Sequence, residues 1–179
     1  MNYRRFAGLL ALVFVLTPSN ASAQSPRDGF YIGLGLGAGS FGVEGEGDRE
    51  WAATGSFKLG GAISENALLG IESFAWVKEE NGSDITQATG AIVVHLYPEA
   101  GSGLFLKAGF GRTTLELVSD WGWRIHRVEE EGNALIAGIG FDSYTGGSFA
   151  VTPFGNFIHT RYDGGSTTLL QVGVGFNWY

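Results

Sequence analysis

From Gln24 onward the chain alternates apolar and polar or small positions with a period of two, and no stretch carries a convincing helical period. At the C-terminus Leu170, Val172, Val174, Phe176 and Trp178 form one face, with Gln171, Gly173, Gly175 and Asn177 between them. Near the start Phe30, Ile32, Leu34, Leu36 and Ala38 alternate with Tyr31, Gly33, Gly35, Gly37 and Gly39. Six further segments read as strands: Trp51–Ser64, Ala67–Lys78, Ile85–Pro98, Gly103–Thr114, Asn133–Tyr144 and Ser148–Tyr162. That makes eight. Most are longer than the five or six residues usual in soluble sheets and match or exceed the roughly 9–11 that cross a bilayer at a tilt.

The connections alternate in length. Short turns fall at Glu65-Asn66, Glu99–Ser102 and Thr145–Gly147; longer loops are predicted over Gly42–Glu50, Glu79–Asp84 and Leu115–Gly132, with a short fourth near Asp163–Gly165. Short periplasmic turns and longer extracellular loops are the layout of outer-membrane barrels. An even strand number then puts both termini in the periplasm. Alternation places Lys58 and Glu72 in the lumen, and the hairpin about Glu65 sets them opposite each other; the hairpin near Gly101 likewise sets His95 opposite Lys107. Arg112 reads as outward-facing near the loop end, where a lipid-side charge costs little. In Ser148–Tyr162 both parities are mixed, so its lipid face is left open, and Pro153 predicts a distortion. Trp51, Trp76, Trp121, Trp123 and Trp178, with Tyr31, Tyr97, Tyr144 and Tyr162, are assigned to interfacial girdles.

The first 23 residues stand apart. Arg4 and Arg5 precede the apolar run Phe6–Leu16, and Ala21-Ser22-Ala23 is a small-x-small cleavage pattern, so residues 1–23 read as a secretory signal peptide and 24–179 as the barrel domain. The absence of cysteine excludes a disulfide framework, a thiolate metal site and bacterial lipidation. Glycine, at 30 of 179 residues, is more than twice ordinary usage. Acids outnumber bases by 18 to 11, which argues against a nucleic-acid partner.

Three segments carry a resemblance: Phe30-Tyr31-Ile32-Gly33-Leu34-Gly35-Leu36-Gly37, Leu104-Phe105-Leu106-Lys107-Ala108-Gly109-Phe110-Gly111, and Val172-Gly173-Val174-Gly175-Phe176-Asn177-Trp178-Tyr179. With them the chain resembles the small eight-stranded outer-membrane β-barrel proteins, such as the OmpA transmembrane domain, OmpX and the opacity-type barrels. The resemblance implies an all-β, antiparallel up-and-down transmembrane barrel. It also implies the bacterial outer membrane as location, membrane lipid and lipopolysaccharide as surroundings, the barrel-assembly machinery as a partner in biogenesis, and a monomer. The last segment looks like the C-terminal signal read by that machinery, except that Tyr179 extends one residue past the outward aromatic Trp178.

Candidate chemistry is sparse, and no catalytic, cofactor or metal residue is assigned. The glycines of Gly33–Gly39 fall at every second residue of one strand, unlike a dinucleotide-binding turn. His95 reads as a lumen residue and His126 as a loop residue. Some eight-stranded barrels are lipid A deacylases with a His-x-Ser pair; here His159 is followed by Thr160 and Arg161, and Thr160, being adjacent, faces the other way. Asp163 alone could orient His159 but supplies no nucleophile. Glu44, Glu46, Asp48 and Glu50 read as a solvated acidic loop, with a cation bridge to lipopolysaccharide as the sharper alternative, and the Asn81-Gly82-Ser83 sequon carries no weight. The expected role is structural, or an interaction at the cell surface through the loops. A lipid-modifying enzyme and a narrow pore for small solutes are the alternatives.

Overall fold

The computed structural model describes residues 27, 29–80, 83–120 and 125–179. The expected signal peptide over residues 1–23 lies outside them, as do Trp121, Trp123 and the Asn81-Gly82 step. The described chain is a single antiparallel sheet: β1 Phe30–Val43, β2 Arg49–Ser64, β3 Ala67–Glu80, β4 Ser83–Leu96, β5 Leu104–Asp120, β6 Ile125–Phe141, β7 Ser143–Gly146, β8 Phe149–Arg161 and β9 Ser166–Trp178. Each strand pairs with its neighbour in sequence except that β6 pairs with β8 and not with β7, and β1 pairs with β9, which closes the sheet into a barrel. Segments β6 and β7 are one stave: Gly140 pairs with Phe154 and Ser143 with Val151 in an unbroken register. The barrel therefore has eight staves.

Pro153 explains the gap between β6 and β7. The Asp142 amide donates to the Gly103 carbonyl at 2.8 Å, toward β5, so Phe141 turns its own polar groups toward β8. Its partner there is Pro153, which has no N–H to give. One ladder bond is missing, and the register does not slip.

Tracing paired residues around the barrel from Phe30 leads through Gly61, Leu69, Val94, Ala108, Ala137, Phe157 and Leu170 to Ser40. The circuit closes ten residues along β1. A stagger of that size tilts the staves by roughly 40–45°. The outward face is a continuous apolar belt, with Leu36 68%, Phe110 65% and Leu135 63% exposed. Only a hydrocarbon surround makes such a belt stable, and the strands leave no open edge within it.

Alternation holds on both faces, and it settles the ambiguous strand. In β8, Ala150, Thr152, Asn156, Ile158 and Thr160 are buried in the lumen, while Pro153, Phe157 and Arg161 are exposed. Two expectations need correction. The segment Leu115–Gly132 is not a long loop, because β5 runs to Asp120 and β6 begins at Ile125, placing His126 on a strand. Likewise β3 and β4 extend to Glu80 and from Ser83. Beyond the belt both faces of a ribbon meet water, so the apolar face that marks a membrane strand is absent there. The aromatic girdle is the second correction. Trp51 and Trp178 are exposed on the outer face, but Trp76, Tyr31, Tyr97 and Tyr162 are buried in the interior. Trp76 shares its parity with Glu72 and Phe74, which was the signal for its place inside.

Candidate functional site in the barrel lumen

The lumen is filled in three layers. At the end opposite the termini, called the far end here, Phe41, Phe74, Trp76, Val93, Ile136, Ile158 and Leu169 pack into an apolar stopper. Trp76 stacks on Phe41 with ring centroids 5.0 Å apart and donates its indole N–H to the Gly39 carbonyl at 3.0 Å. Beside the stopper, hydroxyls of Thr89, Thr113 and Thr160 form a chain, with Thr89 and Thr113 2.7 Å apart and Thr113 and Thr160 3.0 Å apart.

The middle layer carries the charge. Glu72 on β3 accepts from His95 Nε2 on β4 through Oε1 and from Lys107 Nζ on β5 through Oε2, the latter at 2.5 Å. The expected registers hold: Lys58 is opposite Glu72 and His95 opposite Lys107. The ion pair expected from the first register does not form. Lys58 is left out: no described residue gives it a hydrogen bond or an ion pair, and its ammonium stands 5.6 Å from the centre of the Phe105 ring. Lys58 faces a cavity of about 20 Å³ (the volume open to a water's centre) shared with Ser56, Glu72, Lys107, Phe154 and Asn156.

The glycine stripe of β1 makes room for this layer. A Cβ at Gly33 would stand 2.7 Å from Lys58 Cε, and one at Gly35 3.0 Å from the Phe154 ring. Those glycines are seats for long side chains reaching in from facing strands.

The third layer closes the terminal end. Asp142 receives Tyr97 Oη at 2.8 Å and Tyr179 Oη at 2.6 Å on one oxygen, and Thr152 Oγ1 at 2.6 Å and Asn177 Nδ2 at 3.2 Å on the other. Tyr179 is the residue that overshoots the outward aromatic; it folds inward to cap this carboxylate. Arg27 lies over the Tyr97 ring at 3.7 Å and donates to the Ser102 carbonyl at 2.8 Å, covering the network from below. Sequence reading missed Asp142 and Tyr179, whose partners come from β8, β9 and the turn after β4.

His159 and Thr160 fall on opposite faces, as alternation requires. Thr160 is wholly buried and hydrogen-bonded inside, so it offers no hydroxyl to His159. Arg112 is outward, its side chain 72% exposed and 3.9 Å from Glu131. Among the described residues no group of three or more acidic or histidine side chains is arranged to hold a metal.

No protein-family model matches the sequence. No curated protein matches it either. Solved structures do. Ail, the attachment invasion locus protein of Yersinia pestis, aligns with a TM-score of 0.60 and 13% identity, over 84% of this chain and 99% of its own. Neisserial surface protein A aligns with a TM-score of 0.63 and 8% identity, over 88% and 99%. The N-terminal β-barrel domain of Pseudomonas aeruginosa OprF gives 0.53 and 11%, over 84% and 98%. Identities this low speak for the fold alone, and with the closed barrel they establish it: the chain has the fold of the small eight-stranded outer-membrane β-barrel proteins.

Proposed function

We propose that the protein is a monomeric, non-enzymatic barrel of the bacterial outer membrane that works at the cell surface through its far-end hairpins. The termini then lie in the periplasm. The observation that carries this reading is the contrast between the two ends of the barrel axis. Among the described residues an apolar stopper and the Asp142 network each fill the lumen across its width, which supports a barrel without an open channel. The β3–β4 and β5–β6 hairpins, by contrast, continue as paired strands past the belt.

Those hairpins and the β1–β2 connection are rich in acids: Glu44, Glu46, Asp48 and Glu79, and on β6 the run Glu129-Glu130-Glu131. An acidic rim favours a cationic partner surface, or divalent cations bridging it to lipopolysaccharide phosphates. It disfavours polyanions. Ail of Yersinia pestis has been solved with the heparin analogue sucrose octasulfate, and a ligand of that kind would meet repulsion here. Passage through the barrel-assembly machinery is supported by the terminal alternation ending on Trp178. Against catalysis stands the placement of Thr160, the residue next to His159, whose hydroxyl is buried on the opposite face and bonded to Thr113.

The chain has no cysteine, so single cysteines report cleanly. A cysteine at Gly45 should be labelled by an impermeant maleimide on intact cells, and one at Asn66 only after lysis. Labelling of Asn66 on intact cells would reverse the assigned orientation and remove the surface role.

A further inference from the structure

We propose that the mid-lumen cavity is a binding site for one small monovalent anion, with chloride as the natural occupant. The cavity's walls bring together two ammonium groups, Lys58 and Lys107, and one carboxylate, Glu72. Glu72 bonds His95 and Lys107, no described carboxylate stands at ion-pair distance from Lys58, and the cavity sets one carboxylate against two ammonium groups. The positive charge of Lys58 is therefore not neutralised by any described side chain. Lys58 is half-buried, and a cation drawn partly out of bulk water without a counter-charge beside it is costly. Water entering the cavity would solvate Lys58 but leave the charge; an anion supplies both a hydrogen-bond acceptor and neutrality.

Size and donors narrow the class. About 20 Å³ of room for a water's centre accommodates one particle of water-to-chloride size and excludes sulfate, phosphate or a carboxylate. Ser56 adds a hydroxyl to the same wall. Asn156 donates through Nδ2 to Gln171 Oε1 at 2.7 Å, which leaves Asn156 Oδ1 and Gln171 Nε2 buried without partners. Exchanging N and O in both amides keeps their mutual bond and frees Asn156 Nδ2 as a second N–H donor from the cavity wall. The site is then an ammonium, a hydroxyl and an amide around one small anion, set between the stopper on one side and the Asp142 network on the other.

Bromide replaces chloride and scatters anomalously. The full barrel, refolded and crystallised in sodium bromide, should show one anomalous peak in the lumen within hydrogen-bonding reach of Lys58 Nζ. In solution, the thermal midpoint should rise by a few degrees in chloride over gluconate at equal ionic strength. Lys58→Met removes the unpaired charge, so it should fold and lose the chloride-dependent rise. Absence of the lumen peak, or the same chloride response in Lys58→Met as in the native chain, would overturn the proposal. Surface binding of the ion would leave the peak outside the barrel and the variant's response intact, and so counts with the overturning results.

Discussion

Lys107 and Arg112 sit five residues apart on the same strand, β5, and each is placed near a glutamate. The odd spacing puts them on opposite faces. Lys107 points into the lumen, is 8% exposed and holds Glu72 at 2.5 Å. Arg112 points out at the rim and stands 3.9 Å from a glutamate that is itself largely exposed. The same pair of charges is thus a structural joint in one place and a solvated contact in the other. What differs is the medium: inside, neither partner can fall back on water, and outside both can.

The largest effect should come from breaking the inner pair. Glu72→Gln strands Lys107 without its partner and should cost about 3–5 kcal/mol in urea-unfolding stability of the refolded barrel. Truncating the neighbouring stopper by Trp76→Ala should cost a similar 3–5 kcal/mol, since a buried indole, its stack on Phe41 and its bond to Gly39 all go at once. A quadruple change, Glu72→Met with Lys58→Met, His95→Phe and Lys107→Met, sharpens the comparison. It removes the charges together and should lie within about 1–2 kcal/mol of the native stability, far above Glu72→Gln alone. Glu131→Gln at the rim should shift the midpoint by less than about 0.5 kcal/mol and only at low salt. If Glu72→Gln and Glu131→Gln unfold at equal urea, the contrast drawn from β5 is wrong.

Alternation made the outward face of β1 and β9 readable residue by residue, because a bilayer demands an unbroken apolar face. The Lys58–Glu72 and His95–Lys107 registers were readable too, since both lie across short turns that leave the pairing little freedom. Contacts across more than one stave were hidden. Glu72 reaching Lys107 depends on the ten-residue stagger, which no hairpin reveals by itself. Trp76 was assigned to a girdle because aromatics near strand ends favour interfaces; its parity pointed inward, and the parity wins because a narrow barrel must be filled. The outer ribbons were taken for loops because they carry acids on both faces, as the consecutive Glu129-Glu130-Glu131 of β6 shows. Tyr179 as cap of Asp142 had no local signal, since the turn, β6 and β8 must all be in place before the site exists.

The proposed surface role rests on a barrel whose lumen is filled on either side of its mid-lumen cavity, by the stopper and by the Asp142 network. Reconstituting the refolded native chain into a planar lipid bilayer tests it most directly. No stepwise conductance above the bare membrane is expected at any moderate voltage; reproducible unitary steps would show a path through the stopper and the Asp142 network, and would contradict a closed lumen.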